Sequence, residues 1–123
     1  MSVSLIQEKA DAFAVRIVNA HRYLREKKRE YRMSDQLYRS GTSVQANVAE
    51  ARYAESRSDF VHKLSIALKE ANETRSWINL LYKSGLFDQK SYESISKDIN
   101  EIIVILVSII KTLKNKSDRS GKI

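Results

Sequence analysis

The sequence predicts an all-α fold, an antiparallel up-down-up-down four-helix bundle, and three observations carry that prediction. There is no proline and there are only three glycines in 123 residues, so little interrupts long helices. Four segments set their apolar residues three and four apart, the spacing of a helix face turned toward a neighbouring helix. The breaks between these segments are only a few residues long, which joins consecutive helices as antiparallel neighbours.

In the first segment Ile6, Ala10, Phe13, Ile17, Ala20 and Leu24 form the seam, and the charged run KKRE at 27–30 ends it. Ser34 or Asp35 is the expected cap of the second helix, with Ser40 and Ser43 as alternative starts. Its seam runs through Leu37, Gly41, Val44, Val48 and Ala51. Ser56 or Ser58 caps the third, carried by Phe60, Leu64, Ala67, Ala71, Ile78 and Leu81, and Gly85 is a natural left-handed stop. Asp88 then opens the fourth, whose seam is Tyr92, Ile95, Ile99, Ile102, Leu106, Ile109 and Leu113. Beside that seam stand Ile103, Val104, Ile105, Val107 and Ile110, which wraps apolar side chains most of the way round the helix. Either the bundle encloses this helix unusually deeply, or its outer face meets another copy of the chain. Self-association is the expectation, because such a patch left bare promotes aggregation.

The length allows one domain, expected at 1–115, followed by a polar basic tail at 116–123. Cysteine is absent, which excludes zinc-thiolate sites, redox motifs and thiol nucleophiles. The N-terminus MSVSLIQEKADAF lacks both the basic start and the apolar run of a secretory signal. The apolar run IIVILVSII at 102–110 is too short to span a bilayer. A cytoplasmic protein with no membrane association and no cofactor is expected.

Net charge is +7, and most of it sits in two places. Arg22 to Arg39 holds seven Lys/Arg against three Asp/Glu, and Lys111 to Ile123 holds five against one, each a net +4 that leaves −1 for the remainder. In an antiparallel bundle these segments fall at opposite ends, so they do not form one anion pocket. Basic ends either meet an anionic partner such as RNA or DNA or simply keep the protein soluble. The residues expected to contact phosphates are Arg22, Arg25, Lys27, Lys28, Arg29 and Arg32, with Lys111, Lys114 and Lys116 as a second set. Tyr23, Tyr31 and Tyr38 stand within or beside the first set, where an aromatic ring either stacks on unpaired bases or covers the core.

The stretch RSGTSVQANVAEA at 39–51, followed by DFVHKLSIALKEANETRSWINLLYKSGLF at 59–87, resembles the bacterial four-helix-bundle proteins encoded by intervening sequences in 23S ribosomal RNA genes. The resemblance is dense over the second and third helices and looser over the first and fourth. It implies a small bundle assembling into a ring, commonly a homopentamer. A related branch, the accessory proteins of diversity-generating retroelements, is basic and binds nucleic acid together with a reverse transcriptase. The family's pattern places Asn and Glu three apart in the second helix, here Asn47 and Glu50, and acids in the third, here Glu70 and Glu73. Among the small residues Gly41, Ala46, Ala49 and Ala51, which allow close helix approach, a polar side chain must find a partner or lose roughly 1–3 kcal/mol. Lys69 and Arg75 are the expected counter-charges, unless Glu50 points into water.

Enzymatic constellations are sparse. Carboxylate-bridged metal sites in bundles use Glu-x-x-His, and neither His21 nor His62 has a Glu three residues before it. The Arg-x4-6-His spacing of HEPN-type RNA-cleaving bundles is met by Arg57 with His62 and by Arg16 with His21, a match that recurs readily by chance in an arginine-rich chain. No phosphate loop, nucleophile elbow or dinucleotide fingerprint is present. The leading expectation is a non-enzymatic homo-oligomer that binds structured RNA or DNA. The alternatives are a scaffold docking a partner protein and a HEPN-like nuclease.

Overall fold

The computed structural model describes the backbone of residues 3–121 and the side chains of residues 4–116. Four helices, α1 (Val3–Lys27), α2 (Arg32–Ala51), α3 (Arg57–Lys83) and α4 (Gln89–Gly121), form a four-helix bundle, and no strand occurs among the described residues. The core follows the seams. Ile6, Ala10, Phe13, Ile17 and Leu24 of α1 meet Leu37, Val44 and Val48 of α2, Leu64, Ala67, Ala71, Ile78 and Leu81 of α3, and Ile95, Ile99, Ile102 and Leu106 of α4, all buried. Each fully buried Leu, Ile, Val or Phe contributes on the order of 1.5–3 kcal/mol relative to exposure. The expected tail at 116–123 lies almost wholly outside the described side chains, and the helical backbone runs through it as far as Gly121.

Local chemistry explains the helix ends, with one correction. Neither Ser34 nor Asp35 caps α2. The Glu30 carboxylate does so, accepting from the Met33 N–H at 2.6 and 3.0 Å, and its negative charge suits a helix N-terminus. Ser34 is instead buried within the first turn, donating to the Glu30 carbonyl at 2.8 Å. The α1–α2 turn passes through Arg29 at φ +54°, and the Glu30 N–H returns to the Leu24 carbonyl at 3.0 Å. Ser56 caps α3 as expected, accepting from the Asp59 N–H at 3.0 Å. Gly85, at φ +79°, ends it, and the Leu86 N–H closes on the Leu81 carbonyl at 2.9 Å. Asp88 opens α4, accepting from the Ser91 N–H at 2.7 Å.

α2 packs most extensively on α3, while the α1–α4 contact is the thinnest in the bundle. Gly41 sits where α2 meets α1: a Cβ there would come within 2.7 Å of Ile17 Cγ1 and 2.9 Å of Ile17 Cγ2. The other small residues of that stretch divide, Ala51 being buried, Ala49 half-buried and Ala46 exposed. At the α2–α3 contact two hydroxyls replace apolar groups. Thr74 Oγ1 lies 2.9 Å from Ser40 Oγ, and both residues are fully buried.

The apolar surplus of α4 is mostly internal. Ile103, Ile105 and Ile110 are buried and Val107 is half-buried, leaving Val104 as the bare residue at 67% exposure. Because α4 meets both α3 and α1, two sectors of its circumference are covered and a wider apolar stripe is used within one chain. The expected uncovered apolar face is thus reduced to a single residue, because the bundle encloses this helix deeply.

Candidate nucleic-acid interface

The α1–α2 turn gathers the first basic set at one end of the bundle. Arg22, Lys27, Lys28, Arg29 and Arg32 are exposed, and among the described residues none of the five has a carboxylate within ion-pairing distance. Arg25 differs. Its guanidinium bonds Asp35 at 3.3 Å and lies 4.8 Å over the Tyr31 ring, so its charge is engaged within the protein. Of the nearby acids, Glu26 is exposed and has no ion pair among the described residues, whereas Glu30 and Asp35 are occupied. Glu30 caps α2, and Asp35 accepts from His21 at 2.9 Å, a hydrogen bond that, followed by the charge of Arg25, holds its carboxyl below the usual value. At the α3–α4 connection the Ser91 N–H and hydroxyl hold the Asp88 carboxyl low, and the charges of Lys90 and Lys28 add to this. Lys28 therefore faces the start of α4, and the two connections share one end of the molecule.

Lys111, Lys114 and Lys116 are exposed along α4 and lie elsewhere. Arg16 bonds Asp98 at 2.6 Å and Lys9 pairs with Glu101, so Lys111 is displaced along α4 in the direction opposite to that of Arg22 along α1. At 1.5 Å per residue the two basic sets are roughly 30 Å apart. They are not one surface. Of the tyrosines, Tyr38 packs on His21 with ring centroids 4.8 Å apart, Tyr31 lies under Arg25, and Tyr23 is 42% exposed with no ring partner among the described residues.

Asn47 and Glu50 of α2 and Glu70 and Glu73 of α3 do not join into one network. Asn47 donates to Ser43 of its own helix, to the carbonyl at 2.9 Å and the hydroxyl at 3.1 Å. Glu50 accepts from Lys63 at 3.3 Å rather than from Lys69 or Arg75. Arg75 bonds Asn72 and Asn100. Glu70 and Glu73 share Arg39 of α2, and the Trp77 indole N–H donates to Glu73 at 3.0 Å. Arg39 and Lys63 are the cross-helix partners that sequence reasoning missed. Their signal was position: Arg39 opposes Glu70 and Glu73 along two paired helices, which no single-helix periodicity registers. The buried Ser40–Thr74 pair was missed too, although each sits three residues from a seam member, Leu37 or Ala71, a spacing that could have placed both on the buried faces.

The two Arg/His spacings lead to different surroundings. Arg57 and His62 are both exposed, and no hydrogen bond links them among the described residues. Arg16 is held by Ser94 and Asp98, and His21 by Asp35. Among the described residues no group of three or more His, Cys, Asp or Glu side chains is placed to hold a metal ion.

The fold and this end of the molecule define a small basic four-helix bundle that presents unpaired cations from one inter-helix turn. The chain belongs to the 23S rRNA-intervening sequence protein family, whose model matches residues 4–108. It is 49% identical to a solved protein of unknown function from the S23 ribosomal protein family of Bacteroides thetaiotaomicron, covering 90% of this chain and 99% of that one with a TM-score of 0.88. Comparison with curated protein sequences finds no match.

Proposed function

We propose that this chain is a non-enzymatic, self-associating bundle that binds structured RNA or DNA through the phosphates, using the basic end formed by Arg22, Lys27, Lys28, Arg29 and Arg32. The observation that carries the reading is that these five cations are exposed and, among the described residues, without ion pairs around the α1–α2 connection. Glu30 and Asp35 are engaged in a cap and ion pairs, and Glu26 is left as the one exposed acid beside them without an ion pair among the described residues. Cations without internal partners are free to replace the counterions of a phosphate backbone. Lys111, Lys114 and Lys116 form a second, separate set of contacts.

In this reading the helices alternate in direction within a single domain over residues 1–115. The crossing bonds support it: His21 meets Asp35 while Gln45 meets Asp11, and Arg39 meets Glu73 while Lys63 meets Glu50. The protein acts in the cytoplasm as a ring, a pentamer by resemblance to its family, with exposed Val15 and Val104 as the apolar residues available to a neighbouring copy. No helix among the described residues is long and apolar enough to cross a membrane.

Binding of a labelled structured RNA and a matched DNA duplex across a salt series tests the reading. Affinity retained near physiological salt, with log affinity falling steeply against log salt, is the expected result. Binding confined to low salt refutes it and favours the scaffold that docks a protein. Cleavage of the RNA that is lost in His62→Ala would instead favour the nuclease.

A further inference from the structure

Where α1 and α4 make their thin contact, a cleft of about 320 Å³ opens beside the basic end. Ala20, Phe87 and Ile95 give it an apolar floor, Tyr23 forms a wall, and Asn19, Asp88 and Ser91 stand at its polar rim. Arg16 closes the far side and is fixed there by Ser94 and Asp98. Its volume lies at the small end of the roughly 300–1,000 Å³ typical of ligand sites, which suits one flat heterocycle and excludes a docking helix.

We propose that this cleft takes a single unpaired nucleobase, one with an exocyclic amino group, from the nucleic acid bound at the basic end. The proposal rests on the nucleic-acid reading above. Tyr23 supplies a free π-face, and stacking on an aromatic ring is how proteins hold unpaired bases. Asp88 accepts from the Ser91 N–H through Oδ1, and the Ser91 hydroxyl also helps hold its charge. An exposed carboxylate has about four acceptor positions, so an amino donor on the base edge still finds one. The same carboxylate repels phosphate and so sets the orientation, base inward and backbone outward. The backbone then meets cations on both sides. Arg22 precedes Tyr23 on α1, and Lys28 is close enough to help hold the Asp88 carboxyl low. A paired base inside a duplex has no free face to offer Tyr23, so the cleft discriminates loops from stems.

The test uses the full chain and fluorescence anisotropy with two labelled probes, a hairpin bearing an unpaired adenine loop and the same stem as a fully paired duplex, each as RNA and as DNA. The looped probe is expected to bind about 5- to 100-fold tighter in both backbones. Tyr23→Ala should bring the looped probe down to the affinity of the duplex with an unchanged salt slope, and Tyr23→Phe should restore it. Ala20→Leu, which fills the floor, should act like Tyr23→Ala, with helicity checked by circular dichroism. If looped and paired probes bind alike with a steep salt slope, the cleft proposal falls and the phosphate reading stands. A loop preference that survives Tyr23→Ala, or that appears in only one backbone, also overturns the cleft. If no probe binds at all, both readings fall together.

Discussion

Replacing Lys27, Lys28 and Arg32 by Gln removes three of the five unpaired cations at the basic end and leaves Arg29 in its left-handed turn position undisturbed. All three side chains are exposed, so helicity and unfolding midpoint should hold. Each cation that neutralises a duplex phosphate contributes about 0.9 to the slope of log affinity against log salt. On a duplex short enough to engage this end alone, five contacts give a slope of about −4.5, and raising salt from about 50 to 200 mM then weakens binding roughly 500-fold. The two cations left in the variant give a slope of about −1.8 and a loss of only about 12-fold over the same range. Anisotropy titrations on one DNA duplex at four salt concentrations separate these values easily. A variant slope equal to that of the parent would falsify the assignment of the phosphate contacts to the α1–α2 turn, whatever happened to affinity at a single salt concentration.

Other outcomes are expected from the fold. Gly41→Ala gains about 1 kcal/mol of helix propensity but forces a methyl group against fully buried Ile17, an overpacking of about 1–3 kcal/mol. The net effect in chemical denaturation is destabilising by up to about 2 kcal/mol. In an Ile17→Ala background the clash is gone and the same substitution should become stabilising, so a sign that fails to reverse refutes the contact. Arg29→Gly relieves an L-residue at φ +54° and should raise stability by up to about 1 kcal/mol while flattening the salt slope by about 0.9, opposite directions that a purely structural arginine would not produce. Asp88 is held below its usual carboxyl value of 3.8 in the folded protein, chiefly by the Ser91 N–H. Its stabilisation is therefore present above that value and lost as pH falls through the lower folded value. Asp88→Asn keeps an oxygen for the cap and removes the titration, so thermal midpoints should fall less between about pH 5 and pH 2 than in the parent. Equal pH dependence in the two proteins counts against the cap.

Much of the bundle was legible because helix faces are local objects. Ile6 to Leu24, Leu37 to Ala51 and Ile95 to Leu106 announce their buried faces by spacing alone, since a residue and its neighbours three or four positions away share one side of a helix regardless of what covers it. Ser56, Gly85 and Asp88 were legible for the same reason, a cap or stop acting within four residues of itself. Glu30 was missed because α2 starts at Arg32, before Ser34 and Asp35, and a longer acid outside the helix reaches the Met33 N–H. The cations of the basic end were readable as a charge run. Which of them are free was not, because Arg25 is engaged by Asp35 and Tyr31 only once α1 and α2 pack.

By itself the sequence determined that this protein is all helical, where its four helices lie, which faces they bury and which two segments carry its positive charge. These follow from interactions between residues a turn apart. Tertiary structure alone decided that Gly41 receives Ile17, that Arg39 gathers Glu70 and Glu73, that α4 hides its apolar surplus between two neighbours, and that α1 and α4 part to leave a cleft beside Tyr23. Each depends on residues far apart in the chain meeting at distances of a few ångströms, and only the packing of whole helices sets those distances.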